Sequence, residues 1–360
     1  MTFYMPARVY AEESCVRAHA KELCALGKKA LIVTGRTSAE KNGSLKDVTE
    51  VLEAGGIAWV QYKDIEENPS VETIMKARDF GVAEGADFVI GIGGGSPMDA
   101  AKSIALMMLH KEQDRNYLYD KEADSAMLPL VLIPTTCGSG SETSCLSVLT
   151  RHDLRTKGSI PHRLFARMAL LDGKYLQSLP QKVLADTSTD ALCHLTESYI
   201  NRTATPYSRM CVDAGLKLWC AGKDVVRGKR AASDADLLRI LNASALGGMA
   251  IGHTGTCLPH ALSYSVTYDA GIAHGKACGM FLPAYLREAS PEDRDYILDV
   301  AGFESVEELQ SYIEEVCGKA EVPKEYLERT VQEALNNPAK TSRAPFPVDE
   351  TLLRRMAGLG

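Results

Sequence analysis

The sequence lacks an apolar run of about 18 residues, the length that a membrane-spanning helix needs. Its opening residues, 1–6, contain neither the basic nor the apolar part of a secretory signal peptide. No basic run or aromatic-studded basic face is present either, and the formal net charge is -7, which argues against nucleic acid as a partner. We therefore predict a cytoplasmic protein that binds neither membranes nor nucleic acid.

Closely spaced cysteine pairs are also missing. The ten cysteines, from Cys15 to Cys317, are scattered along the chain without any C-x-x-C sequence. Such scatter is untypical of a disulfide framework. We expect buried thiols in a reducing compartment and no disulfides.

The 360 residues, of which 45% are hydrophobic, suffice for two domains. Short apolar runs rich in β-branched residues alternate with helical patterns in the first half, which predicts a Rossmann-like α/β domain with a mainly parallel sheet. From about Pro180 onward only helical spacing remains, so we place an all-helical domain there. The predicted domains are residues 1–179 and 180–360. The predicted strands are residues 29–34, 58–62, 88–92, 128–133 and 168–171.

The segment ADFVIGIGGGSPMDAAK, residues 86–102, has the pattern of a strand, a glycine turn and a helix start. Ser96 is predicted to cap the helix, with Pro97 at the first helical position and Asp99 closing a capping box. Backbone amides at such a turn bind a diphosphate well, and Lys102 adds a positive charge. The G-x-G-x-x-G spacing of the dinucleotide fingerprint is absent, however, and an ordinary strand-to-helix turn would look similar.

A second group of polar residues lies in the helical half. Asp190 and His194 are four residues apart and therefore share one helix face, where a carboxylate and an imidazole can bind one metal ion. His260 and His274 occur in an apolar, glycine-rich context, and buried histidines need partners. From the residues alone, a hydrogen-bonded surface pair and a pair of satisfied core or helix-cap histidines are favoured over a metal site.

Several separated motifs, in order and spacing, resemble those of the iron-dependent (group III) alcohol dehydrogenases. This resemblance implies a dehydroquinate synthase-like fold and a catalytic metal held by Asp190, His194, His260 and His274. Iron(II) is the metal that the family implies, although the same nitrogen and oxygen donors also bind zinc. The motifs that carry the resemblance are GGGSPMDAAK, PTTCGSGSE, DALCH, HAL, AHG with a following LP, and NNPAK.

The resemblance also implies a nicotinamide cofactor on the α/β half, with its diphosphate on Gly94, Gly95 and Ser96. The metal would then polarise the substrate oxygen while hydride passes to or from the nicotinamide. The other positions assigned to cofactor binding are Gly35, Arg36, Ser38, Asn68, Pro97, Met98, Asp99, Thr135, Thr136, Ser139, Ser144, Lys157 and Leu179.

The predicted function is that of a metal-dependent NAD(P)-linked alcohol dehydrogenase or aldehyde reductase, assembled as a homodimer or larger homo-oligomer. Leu146 and Val266 suggest an apolar pocket for a small aliphatic alcohol, diol or aldehyde. The alternatives within the fold are a polyol dehydrogenase of the glycerol or 1,3-propanediol type, a dehydroquinate-synthase-like lyase and a metal-free maleylacetate reductase. A non-catalytic cofactor-binding homologue is the alternative outside enzymology.

Two positions depart from the family pattern. Tyr264 stands where many members have a second histidine that belongs to a proton path, so the Tyr264 hydroxyl is a candidate catalytic group beside the interpretation as a packing residue. Gly35 stands where NAD-preferring members have an aspartate that binds the adenine ribose. Without that carboxylate, and with Arg36 nearby, a 2′-phosphate is tolerated, so NADP(H) is predicted to be favoured over NAD(H). A purely turn-forming role for Gly35 is the competing explanation.

Overall fold

Six short strands form a parallel sheet in the computed structural model, which describes residues 2–153 and 156–360. Their order across the sheet is β1-β8-β5-β4-β2-β3, and a separate antiparallel pair is formed by β6 and β7. The strands are Arg8–Ala11 (β1), Lys29–Thr34 (β2), Ala58–Tyr62 (β3), Phe88–Gly93 (β4), Leu130–Pro134 (β5), Val148–Arg151 (β6), Thr156–Ser159 (β7) and Met168–Leu171 (β8).

The central strands β2, β4 and β5 are almost entirely buried. Strands of a parallel sheet that are covered on both faces read as continuous apolar runs, and this is why these segments were recognisable in the sequence. Gly93 pairs with Pro134 in register, and the Thr135 N–H donates to the Gly93 carbonyl at 2.9 Å. The carboxyl ends of β4 and β5, each followed by a glycine-rich loop, therefore lie side by side.

The described chain divides into two compact units. The sheet unit comprises Tyr4–Thr136 and Ser141–Ser178, and the helical unit comprises residues 2–3, Cys137–Gly140 and Leu179–Gly360. The helices of the sheet unit are Cys15–Ala18 (α1), Ala20–Cys24 (α2), Ser38–Lys41 (α3), Ser44–Ala54 (α4), Val71–Ala83 (α5) and Gly95–Leu109 (α6).

The helical unit contains ten helices among its described residues, and no strand occurs among them. Within the described chain, no helix combines the length and the apolar character that crossing a membrane requires. The helices are Gln181–Tyr199 (α7), Pro206–Val226 (α8), Asp234–Thr254 (α9), Leu258–Ala270 (α10), His274–Glu288 (α11), Pro291–Ala301 (α12), Val306–Cys317 (α13), Lys324–Leu335 (α14), Pro338–Thr341 (α15) and Glu350–Met356 (α16).

The start of α6 differs from the sequence prediction. The helix begins at Gly95, and Gly94 is its N-cap residue, so Ser96 and Pro97 lie inside the first turn rather than at the cap and at the first position. Asp99 forms no capping box, because its carboxylate accepts a hydrogen bond from the Ser141 hydroxyl at 2.5 Å and another from the Val148 N–H at 2.9 Å. Tertiary contacts with the loop after β5 thus replace the predicted local cap.

Lys102 is not available to a bound anion. Its side chain is fully buried, and its ammonium donates to the Ser141 hydroxyl at 2.7 Å and to the Leu146 carbonyl at 2.6 Å. The positive charge therefore ties α6 to the segment after β5, and the expected contribution of Lys102 to a diphosphate site is wrong.

Glu142 gives the sheet unit a predicted pH dependence. Its side chain is buried, Oε1 has no hydrogen-bond partner, and burial raises the pKa of the carboxyl from 4.5 to about 7. Because the folded state then binds a proton that the unfolded state has lost, the free energy of unfolding falls as the pH rises from 4.5 to 7. At about 1.4 kcal/mol per pKa unit, the expected loss is about 3 kcal/mol.

The test of this prediction is chemical denaturation of the wild type and of Glu142→Gln at pH 5 and pH 8. The variant lacks the titrating group, so its stability relative to the wild type should increase between the two pH values. Glu67→Gln, which changes an exposed carboxylate, is the matched control and should follow the wild type. Parallel pH profiles for Glu142→Gln and the wild type would contradict the assignment.

Candidate metal centre and cofactor site

Three helices of the helical unit bring four predicted ligands together. Asp190 and His194 lie one turn apart on α7, His260 lies in the first turn of α10, and His274 is the first residue of α11. From the Asp190 Oδ1 atom, the Nε2 atoms of the histidines lie at 3.9 Å for His194, 3.4 Å for His260 and 3.9 Å for His274. The three Nε2 atoms thus all lie within 3.9 Å of the Asp190 carboxylate.

The donor atoms of this cluster fit a metal ion. Asp190 and His260 are only 6% and 3% exposed, yet Asp190 Oδ1 and His260 Nε2 have no hydrogen-bond partner. Buried polar atoms without a partner are costly and rare, so each needs an explanation. Two donors that each bind one ion at about 2.1 Å lie no more than about 4.2 Å apart, and the three separations from Asp190 Oδ1, 3.4 Å to His260 and 3.9 Å to His194 and to His274, are all below this limit.

Two further groups orient the imidazoles. The Glu197 carboxylate accepts from His260 Nδ1 at 2.8 Å and from the backbone N–H groups of His260 and Cys257, each at 2.9 Å. His194 Nδ1 lies 3.1 Å from the Gly138 carbonyl oxygen, to which it donates. When Nδ1 carries the proton of each ring, Nε2 carries the lone pair that can bind a metal. The sequence interpretation missed Glu197; its place two helical turns after Asp190, on the same face, was the available signal.

The charges suit metal binding. Burial disfavours the charged form of Asp190, but the surrounding imidazoles, His194 foremost, outweigh burial and lower the pKa of its carboxyl. Burial lowers the pKa of His194. The cluster therefore holds an anionic carboxylate beside a neutral His194 imidazole, the states in which these two side chains bind a metal. For His260, burial is outweighed by Cys278, Glu197 and Asp190, which raise the pKa of its imidazole, so metal binding at His260 releases a proton.

A cysteine that the sequence interpretation did not select also belongs to the cluster. Asp190, His260, His274 and Cys278 each offer one donor atom, and these atoms all lie within 4.8 Å of one another. Cys278 is one turn after His274 on α11 and is fully buried. The spacing of four residues was visible in the sequence, but Cys278 was one of ten cysteines and lay outside the quoted motifs.

Gly275 lets α11 approach α7 at this centre. A Cβ atom on Gly275 would lie 1.8 Å from the Asp186 carbonyl oxygen and 3.0 Å from the Asp190 Cβ. Real atoms do not approach so closely, so position 275 requires a residue without a side chain. The glycine of the AHG sequence is thus a packing requirement of the cluster.

Tyr264 lies one turn after His260 on α10. Its ring centroid is 6.3 Å from that of His274, with the two rings inclined by 15°. The Lys340 ammonium lies over the Tyr264 ring, 5.2 Å from the ring centroid. The hydroxyl-bearing ring is therefore next to the centre. Val266, expected beside a substrate pocket, is fully buried.

In the sheet unit, the residues at the carboxyl ends of the strands form a second candidate site. The Asn68 N–H donates to the Ser96 hydroxyl oxygen at 3.0 Å, and the Lys157 ammonium donates to Asn68 Oδ1 at 2.5 Å. A Cβ atom on Gly94 would lie 3.1 Å from the Thr136 hydroxyl oxygen. Five of the predicted cofactor positions, from four separate chain segments, are thus neighbours.

Other predicted cofactor positions do not present side chains there. Met98 is fully buried in the core of the sheet unit, Asp99 is bound by Ser141 and Val148, and Pro97 and Ser144 are buried. Their assigned contacts with a cofactor could only come from the backbone. Ser139 and Leu179 belong to the helical unit.

Gly35 follows β2 directly, and its backbone does not demand glycine. Among the described residues, the glycines with positive φ do not include Gly35. A Cβ atom at this position would meet only the Ile65 carbonyl oxygen at 3.8 Å and Pro97 Cγ at 3.9 Å, which are ordinary contacts. The neighbouring Arg36 side chain is 78% exposed. The purely turn-forming explanation of Gly35 therefore loses its physical basis.

A parallel sheet with glycine loops at its strand ends and a helical unit with a carboxylate–histidine cluster fit a metal-dependent dehydrogenase. Comparisons with known proteins agree with this class. The family profile "Iron-containing alcohol dehydrogenase" matches residues 6–173, and "Fe-containing alcohol dehydrogenase family, C-terminal" matches residues 184–333. The chain belongs to the iron-containing alcohol dehydrogenase family, and the predicted family is confirmed.

Individual relatives extend over most of the chain. Long-chain-alcohol dehydrogenase 1 of Geobacillus thermodenitrificans is 31% identical, with 92% of this chain and 90% of the relative covered. Sulfoacetaldehyde reductase of Bilophila wadsworthia is 34% identical, with 76% and 71% covered. The crystal structure of an iron-containing alcohol dehydrogenase from Thermotoga maritima superposes with a TM-score of 0.91 at 34% identity, covering 99% and 98% of the two chains. The predicted fold class is confirmed, and the protein is an oxidoreductase of the metal-dependent alcohol dehydrogenase type.

Proposed function

We propose that this protein transfers hydride between NADP(H) and a small aliphatic alcohol, diol or aldehyde, with the metal centre at Asp190, His194, His260 and His274. The observation that carries the proposal is the pair of buried, unpartnered donor atoms, Asp190 Oδ1 and His260 Nε2, 3.4 Å apart. The two atoms face each other at ion-pair distance without meeting hydrogen-bond geometry, and an ion between them would satisfy both.

Each part of the chain has a role in this proposal. An iron(II) ion, or zinc in its place, supplies Lewis acidity towards the substrate oxygen when bound. Glu197 and Gly138 hold the imidazoles of His260 and His194 in the donor orientation. The Tyr264 hydroxyl gives or takes the proton of the substrate oxygen. The domain of residues 1–179 binds the cofactor, and that of residues 180–360 binds the metal and the substrate.

The diphosphate of the cofactor is placed on the amides that begin α6. Gly94, Gly95 and Ser96 lie where the N–H groups of the first helical turn are unpaired within the helix. Asn68, Lys157 and Thr136 surround this turn, and Lys157 provides the positive charge that Lys102 does not. Two features support the proposed role of Gly35. The space around it is open, and it carries no carboxylate that would repel a 2′-phosphate.

The test of the overall function is a substrate panel with protein loaded anaerobically with iron(II). The panel contains short aliphatic aldehydes and alcohols, 1,3-propanediol, glycerol, a long-chain aldehyde and sulfoacetaldehyde, because the relatives differ in the substrates that their names state. We expect the highest kcat/KM with an uncharged short-chain substrate. Turnover of only anionic substrates would contradict the proposed substrate class, and no turnover at all would contradict the enzyme assignment.

Cofactor choice is tested at position 35. We expect the wild type to have a higher kcat/KM with NADPH than with NADH, and Gly35→Asp to reverse this order, because the new carboxylate repels the 2′-phosphate and accepts hydrogen bonds from the ribose. A reversal of about tenfold or more corresponds to at least about 1.4 kcal/mol. The measurement is steady-state kinetics with both cofactors.

Gly35→Ala is the matched control for that experiment. It adds a Cβ atom in the same open space without a charge, so it should keep the wild-type order of the two cofactors. A higher kcat/KM of the wild type with NADH than with NADPH would contradict the proposed preference. Equal effects of alanine and aspartate would assign any change to shape rather than to charge.

A further inference from the structure

We propose that Cys278 is a ligand of the metal centre, so that this protein binds thiophilic divalent ions such as zinc and cobalt(II) through a sulfur donor. The inference rests on the metal site of the proposed function and names a donor beyond the carboxylate and the three histidines. Two observations support it independently: the position of the Cys278 sulfur, and the unpartnered Asp190 Oδ1 and His260 Nε2 atoms beside it.

The sulfur lies within reach of a shared ion. Cys278 Sγ is 3.7 Å from His274 Nε2 and 3.9 Å from His274 Nδ1. Two donors that bind one ion at about 2.1 Å through nitrogen and about 2.3 Å through sulfur lie no more than about 4.4 Å apart, the sum of the two bond lengths, so the Cys278–His274 separation is within reach of one ion. The donor atoms of Asp190, His260, His274 and Cys278 all lie within 4.8 Å of one another. The sulfur is therefore close enough to share an ion with these residues.

The position of the Cys278 sulfur follows from the geometry of α11. Residues four apart on a helix share a face, so His274 and Cys278 point to the same side of α11. Gly275, between them, brings that face against α7, where Asp190 lies. Cys278 is fully buried, so its sulfur faces the cluster and the protein interior rather than solvent.

The chemistry of binding is a proton exchange. The S–H bond of Cys278 breaks, its proton passes to solvent, and a sulfur–metal bond forms; no electron is transferred. A thiolate is a softer donor than a carboxylate or an imidazole, so it favours zinc and cobalt(II) over iron(II). Cys278 is in this way a determinant of metal selectivity in a centre otherwise built from nitrogen and oxygen donors.

The experiment uses the full chain, freed of metal and titrated with cobalt(II) under anaerobic conditions. We expect about one bound cobalt per chain, with a sulfur-to-cobalt charge-transfer band in the near ultraviolet. Cys278→Ser and Cys278→Ala should bind cobalt without that band. Cys211→Ala, which changes another buried cysteine of the helical unit, is the matched control and should keep it.

A competition experiment measures selectivity. In mixtures of zinc and iron(II), Cys278→Ser should shift the bound zinc-to-iron ratio towards iron by about tenfold or more, in the range that loss of a metal-site interaction produces, whereas Cys211→Ala should not shift it. Cobalt bound by the wild type without the charge-transfer band would overturn the role of Cys278 and leave the proposed metal site standing. Failure of the wild type to bind cobalt, zinc or iron would overturn both.

Discussion

Replacing Asp190 by asparagine is expected to remove the bound metal and to lower kcat/KM by at least about 10²-fold. Asp190 is the one carboxylate among the three imidazoles, and its Oδ1 atom lies within 3.9 Å of all three Nε2 atoms. Asparagine keeps the shape but loses the charge. Loss of one partner from a buried charged set costs about 3–5 kcal/mol, and every 1.4 kcal/mol is tenfold.

The measurements are metal content by elemental analysis and steady-state kinetics at saturating metal. Asp186→Asn is the matched control, since Asp186 is a buried aspartate one turn earlier on α7 whose carboxylate accepts from Lys182 at 3.0 Å. The control should retain both metal and turnover. If Asp190→Asn kept its full metal content and activity, the assigned centre would be wrong.

Replacing Gly275 by alanine is expected to empty the metal centre without touching a ligand. The new methyl group would lie 1.8 Å from the Asp186 carbonyl oxygen, and this atom belongs to the α7 backbone, which cannot rotate away as a side chain could. The start of α11 must move, and His274 moves with it. Overpacking of this kind lowers the free energy of unfolding by about 1–3 kcal/mol.

Metal content, thermal unfolding and kinetics should be measured together on this variant. Gly247→Ala is the matched control, because a Cβ atom on Gly247, inside α9, would meet the His194 Cβ at 3.4 Å, an ordinary contact beside the same centre. Alanine also has the higher helix propensity, by about 1 kcal/mol. The control should keep its metal and equal or exceed the wild-type stability. Normal metal content in Gly275→Ala would show that α11 can adapt.

The strands of the parallel sheet were readable from the sequence wherever the sheet buries both faces. β2 and β8, which are almost entirely buried, were predicted with the bounds that the structure has. The bounds of β3 were also predicted correctly, although this edge strand is partly exposed. β1 and the β6–β7 pair were missed. β1 is a four-residue strand at the edge of the sheet with partly exposed residues, so it carries no apolar run that a sequence pattern could reveal.

Local chemistry was predicted less well where tertiary contacts compete with it. Ser96 and Asp99 have the residue types of a capping box, yet Asp99 binds Ser141 and Val148 from a distant part of the chain. Lys102, predicted to add a positive charge to a diphosphate site, is fully buried beside the same segment. A local rule states which hydrogen bonds a residue can make, and packing decides which of them it does make.

The sequence by itself determined which residues share a helix face, because helical geometry fixes that spacing. Asp190 with His194, and His274 with Cys278, are each four residues apart on one face. It also determined the glycine loops and, through their order, the family. Only the tertiary structure decided that α10 and α11 bring His260, His274 and Cys278 to Asp190, and that Glu197 holds His260. These contacts join residues far apart in the chain, and their distances depend on how the helices pack, as α11 packs on α7 at Gly275. The local periodicity of the sequence carries no information about that packing.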